Sequence, residues 1–317
     1  MMTQVQMNLM STSLRPETEK SLSIRSWSVV ILVVLVRVPV RWAAMTMILA
    51  LALAACPFPG WPQEIKSACP LPESTSLRME VGTVPIASIA NAVFFEAGLA
   101  IDADGAPNAY GPHDKGLDLT VHARGRKGWA GVLADERGQP VLQKRGPYRG
   151  YYVSTTSLED ANTRRDADPR KYVDARKIPY IVLPSDVAGR FGIRLGDFAV
   201  VSNQSNGRFA YAYAIYADVG PSGKLGEGSM ALAKALGLPA NPRGGAVEEG
   251  VWFLVFPGSG HGPGKLRTLK EINRSAARLY KTWGGSKRLR ACELLSQPSQ
   301  PVEAPAAQSL RSKDEIR

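Results

Sequence analysis

The sequence predicts a mainly β domain, a barrel with a few short helices attached. Seven short segments of apolar residues, rich in β-branched and aromatic side chains, have the length of strands. Gly, Pro, Asn and Asp separate these segments, as tight turns require. Only two segments favour helices, and many short strands with few helices are typical of barrels.

The predicted elements lie between residues 79 and 295, a length that suits one domain. One helix is predicted at 229–236, ending at Gly237, and a C-terminal helix at 266–283, ending at a glycine pair. The predicted strands are 93–95, 129–133, 150–154, 180–183, 198–201, 209–217 and 251–256.

The first 55 residues are interpreted as an export leader that lies outside the fold. Apolar runs at 29–36 and 42–55 are separated by Arg37 and Arg41, and neither run reaches the ~20 residues that a bilayer span needs. The second run has the positive start, apolar middle and small-residue end of a signal peptide. A signal anchor that spans the bilayer with both arginines is the alternative. We therefore expect an exported protein, either secreted or held at the outer envelope.

The three cysteines are interpreted in the light of export. Residues 53–56 read Leu-Ala-Ala-Cys, which resembles a bacterial lipobox, so we expect Cys56 to be lipidated and to hold the chain at a membrane. Cys69 and Cys292 lie at the two ends of the predicted domain, and an oxidising compartment permits a disulfide between them. Two unpaired thiols are the alternative.

Segments of low apolar content flank the domain. The Pro- and Ser-rich residues 56–78 predict a tether, and residues 296–317 predict a disordered tail. The net charge of +11 comes from 39 basic residues scattered among 28 acidic ones, so it names no partner by itself. Three Cys and three His without zinc-type spacing are too few for a structural metal cage. We expect a monomer that binds no nucleic acid and needs no metal or cofactor.

The most informative stretch holds two carboxylates nine residues apart. If the strand at 209–217 alternates strictly, Asp218 continues the face of the alanines at 210, 212 and 214, which leaves space for a ligand above it. Glu227 stands between two glycines, just ahead of the helix that begins near Ser229. The two carboxylates are then expected on one glycine-rich rim.

Glycoside hydrolysis needs such a pair, one carboxylic acid to protonate the leaving oxygen and one carboxylate to act on water or on the sugar. Because a glutamic acid has an ordinary pKa about 0.4 unit above that of an aspartic acid, we expect Glu227 to be the acid and Asp218 the base. The alternative is structural: Glu227 stabilises the start of the helix, and Asp218 stabilises its own turn.

Residues 94–118 carry five carboxylates and one lysine, a patch suited to the ammonium groups of an amino-sugar chain. Asp102 and Asp104 are its candidate substrate-binding residues, and a solvated turn is the alternative. The run Asp-Ala-Asp-Gly at 102–105 begins like a calcium loop, but Ala106 and Pro107 stand where an oxygen ligand and a Gly are needed. Candidates for stacking on sugar rings, with a core position as the alternative, are Tyr211, Tyr213 and Tyr216.

Several of these motifs, in their order along the chain, resemble the fungal-type chitosanases of glycoside hydrolase family seventy-five. They are Asn-Gly-Arg at 206–208, Tyr-Ala-Ile-Tyr-Ala-Asp at 213–218, Gly-Glu-Gly-Ser at 226–229 and the strand at 251–258. The resemblance covers about residues 93–260 and implies internal cleavage of chitosan with inversion. It places Asp218 and Glu227 on the family's essential Asp and Glu. Ser222 stands where the family's pattern has a second acid after the strand.

The same segment also resembles the double-psi β-barrel proteins that act on peptidoglycan, which implies a six-stranded barrel. Two other functions therefore stay open. One is a peptidoglycan-cleaving or remodelling envelope protein on the same barrel, and the other is a glycan-binding lipoprotein without turnover. In both alternatives the ligand is a polysaccharide, as it is for a chitosanase.

Overall fold

The computed structural model describes Cys69 and residues 75–80, 82–125, 128–205 and 208–296. The predicted leader with Cys56, most of the predicted tether and nearly all of the predicted tail lie outside these residues. Across the described ranges, none of the helices combines the length and apolar character needed to cross a membrane.

The described part of the chain is dominated by strands, most of which belong to one sheet. The strands are β1 (Thr75–Met79), β2 (Gly82–Ile89), β3 (Ala92–Asp102), β4 (Arg124–Gly125), β5 (Gly128–Trp129), β6 (Tyr180–Pro184), β7 (Phe198–Ser205), β8 (Arg208–Gly220), β9 (Glu227–Ser229) and β10 (Val247–Val255).

Six of these strands close into a barrel. Their order is β3, β10, β7, β8, β6 and β9, and β9 closes the ring by pairing again with β3. The pairs β3–β9 and β6–β8 are parallel, and the others in the ring are antiparallel. The prediction of a mainly β fold with a six-stranded barrel is confirmed.

Apolar runs form the buried strands of the barrel. All five residues of β6 are buried, as expected for a strand covered on both faces. Between β3 and β10, Phe94 stacks on Trp252 and Phe95 on Phe253, each pair with ring centroids 5.0 Å apart. Such aromatic pairs add about 0.5–1.5 kcal/mol beyond the burial of their surface, so they fix the register of the two strands.

Four helices lie outside the barrel wall in the described residues. They are α1 (Ser185–Arg190), α2 (Met230–Ala235), α3 (Leu269–Trp283) and α4 (Gly285–Ser296). The Ser229 hydroxyl caps α2 by accepting from the Leu232 N–H, and Thr268 with Glu271 forms a capping box at the start of α3. Both predicted helices are present, whereas α1 and α4 were not predicted.

A disulfide joins Cys69 to Cys292 in α4, with Cα atoms 5.2 Å apart, so the predicted bridge is confirmed. Both cysteines are fully buried. The bridge spans 223 residues of sequence and ties the beginning of the domain to its last helix. The strand β1, which follows Cys69, begins at Thr75 within the segment that the sequence analysis assigned to the tether.

The long segment between β3 and β6 differs from the prediction. The strands predicted at 129–133 and 150–154 are reduced to the short β5 and to isolated pairings such as Val132 with Ser154 and Leu142 with Tyr152. Most of the remaining backbone hydrogen bonds in this segment join one loop to another, with turns between them. Apart from the two-stranded sheet of β4 and β5, the segment therefore packs beside the barrel through loops and isolated pairings.

Candidate active site

Asp218 and Glu227 lie on either side of the central strand of the site, β6. In the parallel pair β6–β8, Val182 faces Asp218, and in the antiparallel pair β6–β9 the same Val182 faces Glu227. Because neighbouring strands lie about 4.8 Å apart, the Cα atoms of the two acids are separated by about 9–10 Å. Residues paired in register point to one face of a sheet, so the two carboxylates share a face.

A bulge in β8 sets the direction of Asp218. Tyr216 pairs with Ile181 but Asp218 pairs with Val182, so Ala217 has no partner on β6. The extra residue reverses the alternation, and Asp218 lies on the face of Ile215 instead of the face of Tyr216. The prediction that Asp218 continues the alanine face is therefore wrong, because it assumed an unbroken period of two.

The Asp218 carboxylate is buried and held at one of its two oxygens. Its Oδ1 accepts from the Ser157 N–H (2.9 Å), the Ser157 hydroxyl (2.6 Å) and the Val219 N–H (2.8 Å). Burial raises the pKa of Asp218 to about 6, the bonds from Ser157 and Val219 oppose the rise, and the charge of Glu227 adds to it. Asp218 therefore titrates in the range where a general acid or base is useful.

Glu227 is half-buried and forms an ion pair with Lys224, whose Nζ lies 3.1 Å from Glu227 Oε2. The preceding Gly226 has φ +82°, and a Cβ there would meet the main-chain O of Gly98 at 2.4 Å. Only glycine allows this close approach of the turn to β3. The glycine before Glu227 thus lets β9 reach its position between β3 and β6.

Asp102 ends β3 and Asp104 follows it in the turn. The Tyr180 hydroxyl donates to Asp102 Oδ2 at 2.9 Å, and the Asp104 N–H donates to Asp102 Oδ1 at 2.7 Å. The Tyr110 hydroxyl donates to Asp104 Oδ1 at 2.7 Å. Burial raises the pKa of both carboxyls well above their usual range, and the neighbouring carboxylates raise it further.

Three of the four carboxyl groups form a compact cluster. Asp102, Asp104 and Asp218 each offer a carboxylate oxygen, and these oxygens lie within 4.8 Å of one another. Like charges this close do not all ionise together at neutral pH, so the cluster holds at least one proton or attracts a cation. Its oxygens are of the kind that Ca²⁺ or Mg²⁺ prefers, but an ammonium group also satisfies them. The expectation of no metal stays a prediction.

The three tyrosines that the sequence analysis selected do not meet at this cluster. The rings of Tyr211 and Tyr213 pack against Tyr280 of α3, with centroids 5.5 and 6.3 Å apart. Tyr213 is five residues before Asp218, about 16 Å along the strand. Tyr216 is buried, with its hydroxyl 3.3 Å from the Leu183 carbonyl. Their role in binding sugar rings stays a prediction.

Sequence reasoning missed three hydroxyl groups that hold the acids. Tyr180 and Tyr110 bond Asp102 and Asp104, and Ser157 bonds Asp218 across 61 residues of sequence. The one signal in the sequence is the run Ser-Thr-Thr-Ser at 154–157, which lies in and just after a predicted strand. Polar side chains in such a run indicate bonds to other parts of the chain.

The barrel thus holds two carboxylates on the strands that flank β6, and a pair of carboxyl groups is what glycoside hydrolases use. The family model described as "Fungal chitosanase of glycosyl hydrolase group 75" matches residues 100–282, more than half of the chain. The chain therefore belongs to this family of glycoside hydrolases, as its motifs predicted. The matched residues include all four carboxylates of the site. No curated protein matches the chain.

Proposed function

We propose that this protein cleaves chitosan, a β-1,4-linked glucosamine polymer, within the chain and with inversion at the anomeric carbon. The observation that carries the proposal is the placement of Asp218 and Glu227 on either side of Val182. Inversion needs carboxyl groups about 6.5–9.5 Å apart, so that a water fits between the base and the sugar. A Cα separation of about 9–10 Å across two strand spacings accommodates that distance.

In this proposal Asp218 is the general acid and Glu227 the general base, the reverse of the order expected from residue type. The pKa of Asp218, raised to about 6 by burial, favours a protonated carboxyl in weakly acidic solution. Glu227 lies against the ammonium group of Lys224, and a neighbouring positive charge suits a carboxylate that acts as the base. Environment therefore outweighs the small difference between Asp and Glu in water.

The reaction then runs in one step. Asp218 gives its proton to the glycosidic oxygen as the bond from that oxygen to the anomeric carbon breaks. Glu227 takes a proton from a water molecule, whose oxygen bonds to the anomeric carbon from the opposite face. The product sugar has the α configuration, and proton exchange with solvent restores both carboxyl groups.

The acids beside Asp218 support an amino sugar as substrate. Asp104 is half-buried and reaches the cluster from the turn after β3, whereas Asp102 is buried behind it. An ammonium group placed between them compensates charges that otherwise repel one another. We propose that Asp104 binds the ammonium group of a glucosamine unit. Asp102 then holds Asp104 in place by accepting a hydrogen bond from the Asp104 N–H.

The test incubates the purified protein separately with chitosan, chitin and peptidoglycan and identifies released fragments by mass spectrometry. Chitosan oligomers of several lengths support the proposal, and early NMR spectra should show them with α reducing ends. Fragments from peptidoglycan alone would favour the envelope-remodelling alternative. Binding to a glycan with no fragments from any polymer would favour the non-catalytic alternative.

A further inference from the structure

A run of four hydroxyl residues, Ser154 to Ser157, lies beside the acids of the site, and we call it the hydroxyl strap. At one end, the Ser154 hydroxyl accepts from the Gly105 N–H at 3.0 Å and donates to the Gly131 carbonyl at 2.9 Å. At the other end, the Leu158 N–H donates to the Ala217 carbonyl at 2.8 Å. The strap therefore connects the turn that bears Asp104 with the bulge that precedes Asp218.

Ser157 is the strap residue that touches Asp218. Both its N–H and its hydroxyl donate to Oδ1, and its hydroxyl oxygen also lies 3.2 Å from the Val219 N–H. Oδ1 is thus fully occupied by donors, and the proton of a neutral Asp218 belongs on Oδ2. Ser157 itself is exposed, so it lies at the open side of the site.

The other groups that face Asp218 disfavour its charge or are neutral. Asp102, Asp104 and Glu227 lie near it on β3, the following turn and β9, and they repel its negative charge. The charge of Asp218 also raises the pKa of two buried tyrosines, Tyr180 on β6 and, on the other face of β8, Tyr216.

Among the described residues, no cationic side chain forms an ion pair with Asp218. Lys224 pairs with Glu227. Ser157 therefore supplies two of the three donor contacts that favour the charged form of Asp218. Of the two, only the hydroxyl can be removed by changing the side chain.

We propose that Ser157 is a positioning residue that fixes the Asp218 side chain with Oδ2 toward the substrate and sets the pH range over which Asp218 loses its proton. This inference rests on the proposed function of Asp218 as the acid. A hydrogen bond to a charged group contributes enough to move a midpoint of titration by about one pH unit. The two backbone donors remain when the hydroxyl is removed, so a larger change is not expected.

The test follows the carboxyl ¹³C shift of Asp218 against pH in the wild type, Ser157→Ala, Ser157→Thr and Thr155→Ala. Ser157→Ala should move the midpoint up by about one unit, and Ser157→Thr, which keeps the hydroxyl at an exposed position, should restore it. Thr155→Ala is the matched control in the strap, since its hydroxyl has only a 3.5 Å contact with the Ala130 carbonyl. An unchanged midpoint in Ser157→Ala would overturn the proposal.

A parallel pH profile of kcat/KM on chitosan separates this inference from the proposed function. With Asp218 as the acid, Ser157→Ala should move the alkaline limb to higher pH. If the acidic limb moves instead, Ser157 still positions Asp218, but Asp218 is the base. If the ¹³C midpoint moves and the wild type cleaves no chitosan, the proposed function fails while the role of Ser157 stands.

Discussion

Asp218 and Glu227 pair with the same residue of β6 from opposite sides. The separation of their main chains is therefore set by the spacing of three hydrogen-bonded strands, and both acids lie on strands themselves. Sites built on strands hold catalytic groups more tightly than sites on loops do. This arrangement supplies the two fixed carboxylates that the proposed reaction needs.

Replacing Asp218 by Asn should stabilise the fold at pH 8. The pKa of Asp218 in the folded protein, about 6, lies above the ~3.9 of an unfolded chain, so the native state binds more protons between these values. The free energy of unfolding consequently falls as pH rises from about 4 to 6 and stays lower above that range. The variant removes this loss, and urea unfolding should show a gain of about 1–3 kcal/mol at pH 8.

The gain should disappear at pH 3.5, where Asp218 is protonated in both states. Asp114→Asn is the matched control, because Asp114 is exposed and hydrogen bonds from Thr120 lower its pKa. That variant should show no gain at pH 8. A loss of stability in Asp218→Asn at pH 8 would mean that the carboxylate is favoured by its surroundings, contrary to its burial among acids.

Removing the bridge between Cys69 and Cys292 should destabilise the domain. A loop of 223 residues restricts the unfolded chain strongly, and loss of a native disulfide typically costs about 2–5 kcal/mol. The double variant Cys69→Ala, Cys292→Ala should therefore unfold at lower urea concentration than the oxidised wild type. The reduced wild type is the control and should unfold close to the double variant. Equal midpoints for all three proteins would show that the bridge contributes nothing.

Neutralising Asp104 should weaken binding of chitosan more than binding of chitin. Only chitosan carries ammonium groups, so Asp104→Asn removes an attraction that chitin does not use. The difference should shrink as salt is added, since counterions screen charges that solvent can reach. Affinity electrophoresis in gels with either polymer measures both effects, with Asp114→Asn as the control from the same acidic segment. Equal weakening on both polymers would mark Asp104 as structural.

Five of the six barrel strands and the two predicted helices were predictable because their patterns are local, whereas the three-residue strand β9 was missed. The apolar run of β6 indicates a buried strand, and the capping box of α3 indicates the start of a helix, in each case from neighbouring residues alone. The hairpin of β1 and β2 was missed, and the strands at 129–133 and 150–154 were overestimated. The two strands were overestimated because the backbone bonds of these residues go to several different loop segments. The hairpin pairs locally, but it begins within the Pro- and Ser-rich segment that predicted a tether.

The sequence indicated which acids to consider but not their contacts, and the roles of these acids stay predictions. Asp218, Glu227, Asp102 and Asp104 were chosen for their residue type, their spacing and the family resemblance, and the structure brings all four near one another. The bulge at Ala217 and the bonds from Ser157 depend on contacts between distant segments. A strict period of two gives no sign of a bulge, so the face of Asp218 was predicted wrongly.

The most direct test of the account is the turnover of chitosan by Asp218→Asn and Glu227→Gln. Both substitutions keep the shape of the side chain and remove its ability to exchange a proton. Each should lower kcat at least about a hundredfold, the loss expected when a general acid or base is removed, while binding of chitosan largely survives. Ser222→Ala, on the turn between the two acids, serves as the control and should stay near wild-type turnover. Retention of more than about a tenth of the wild-type turnover by either acid variant would contradict the assignment of this pair.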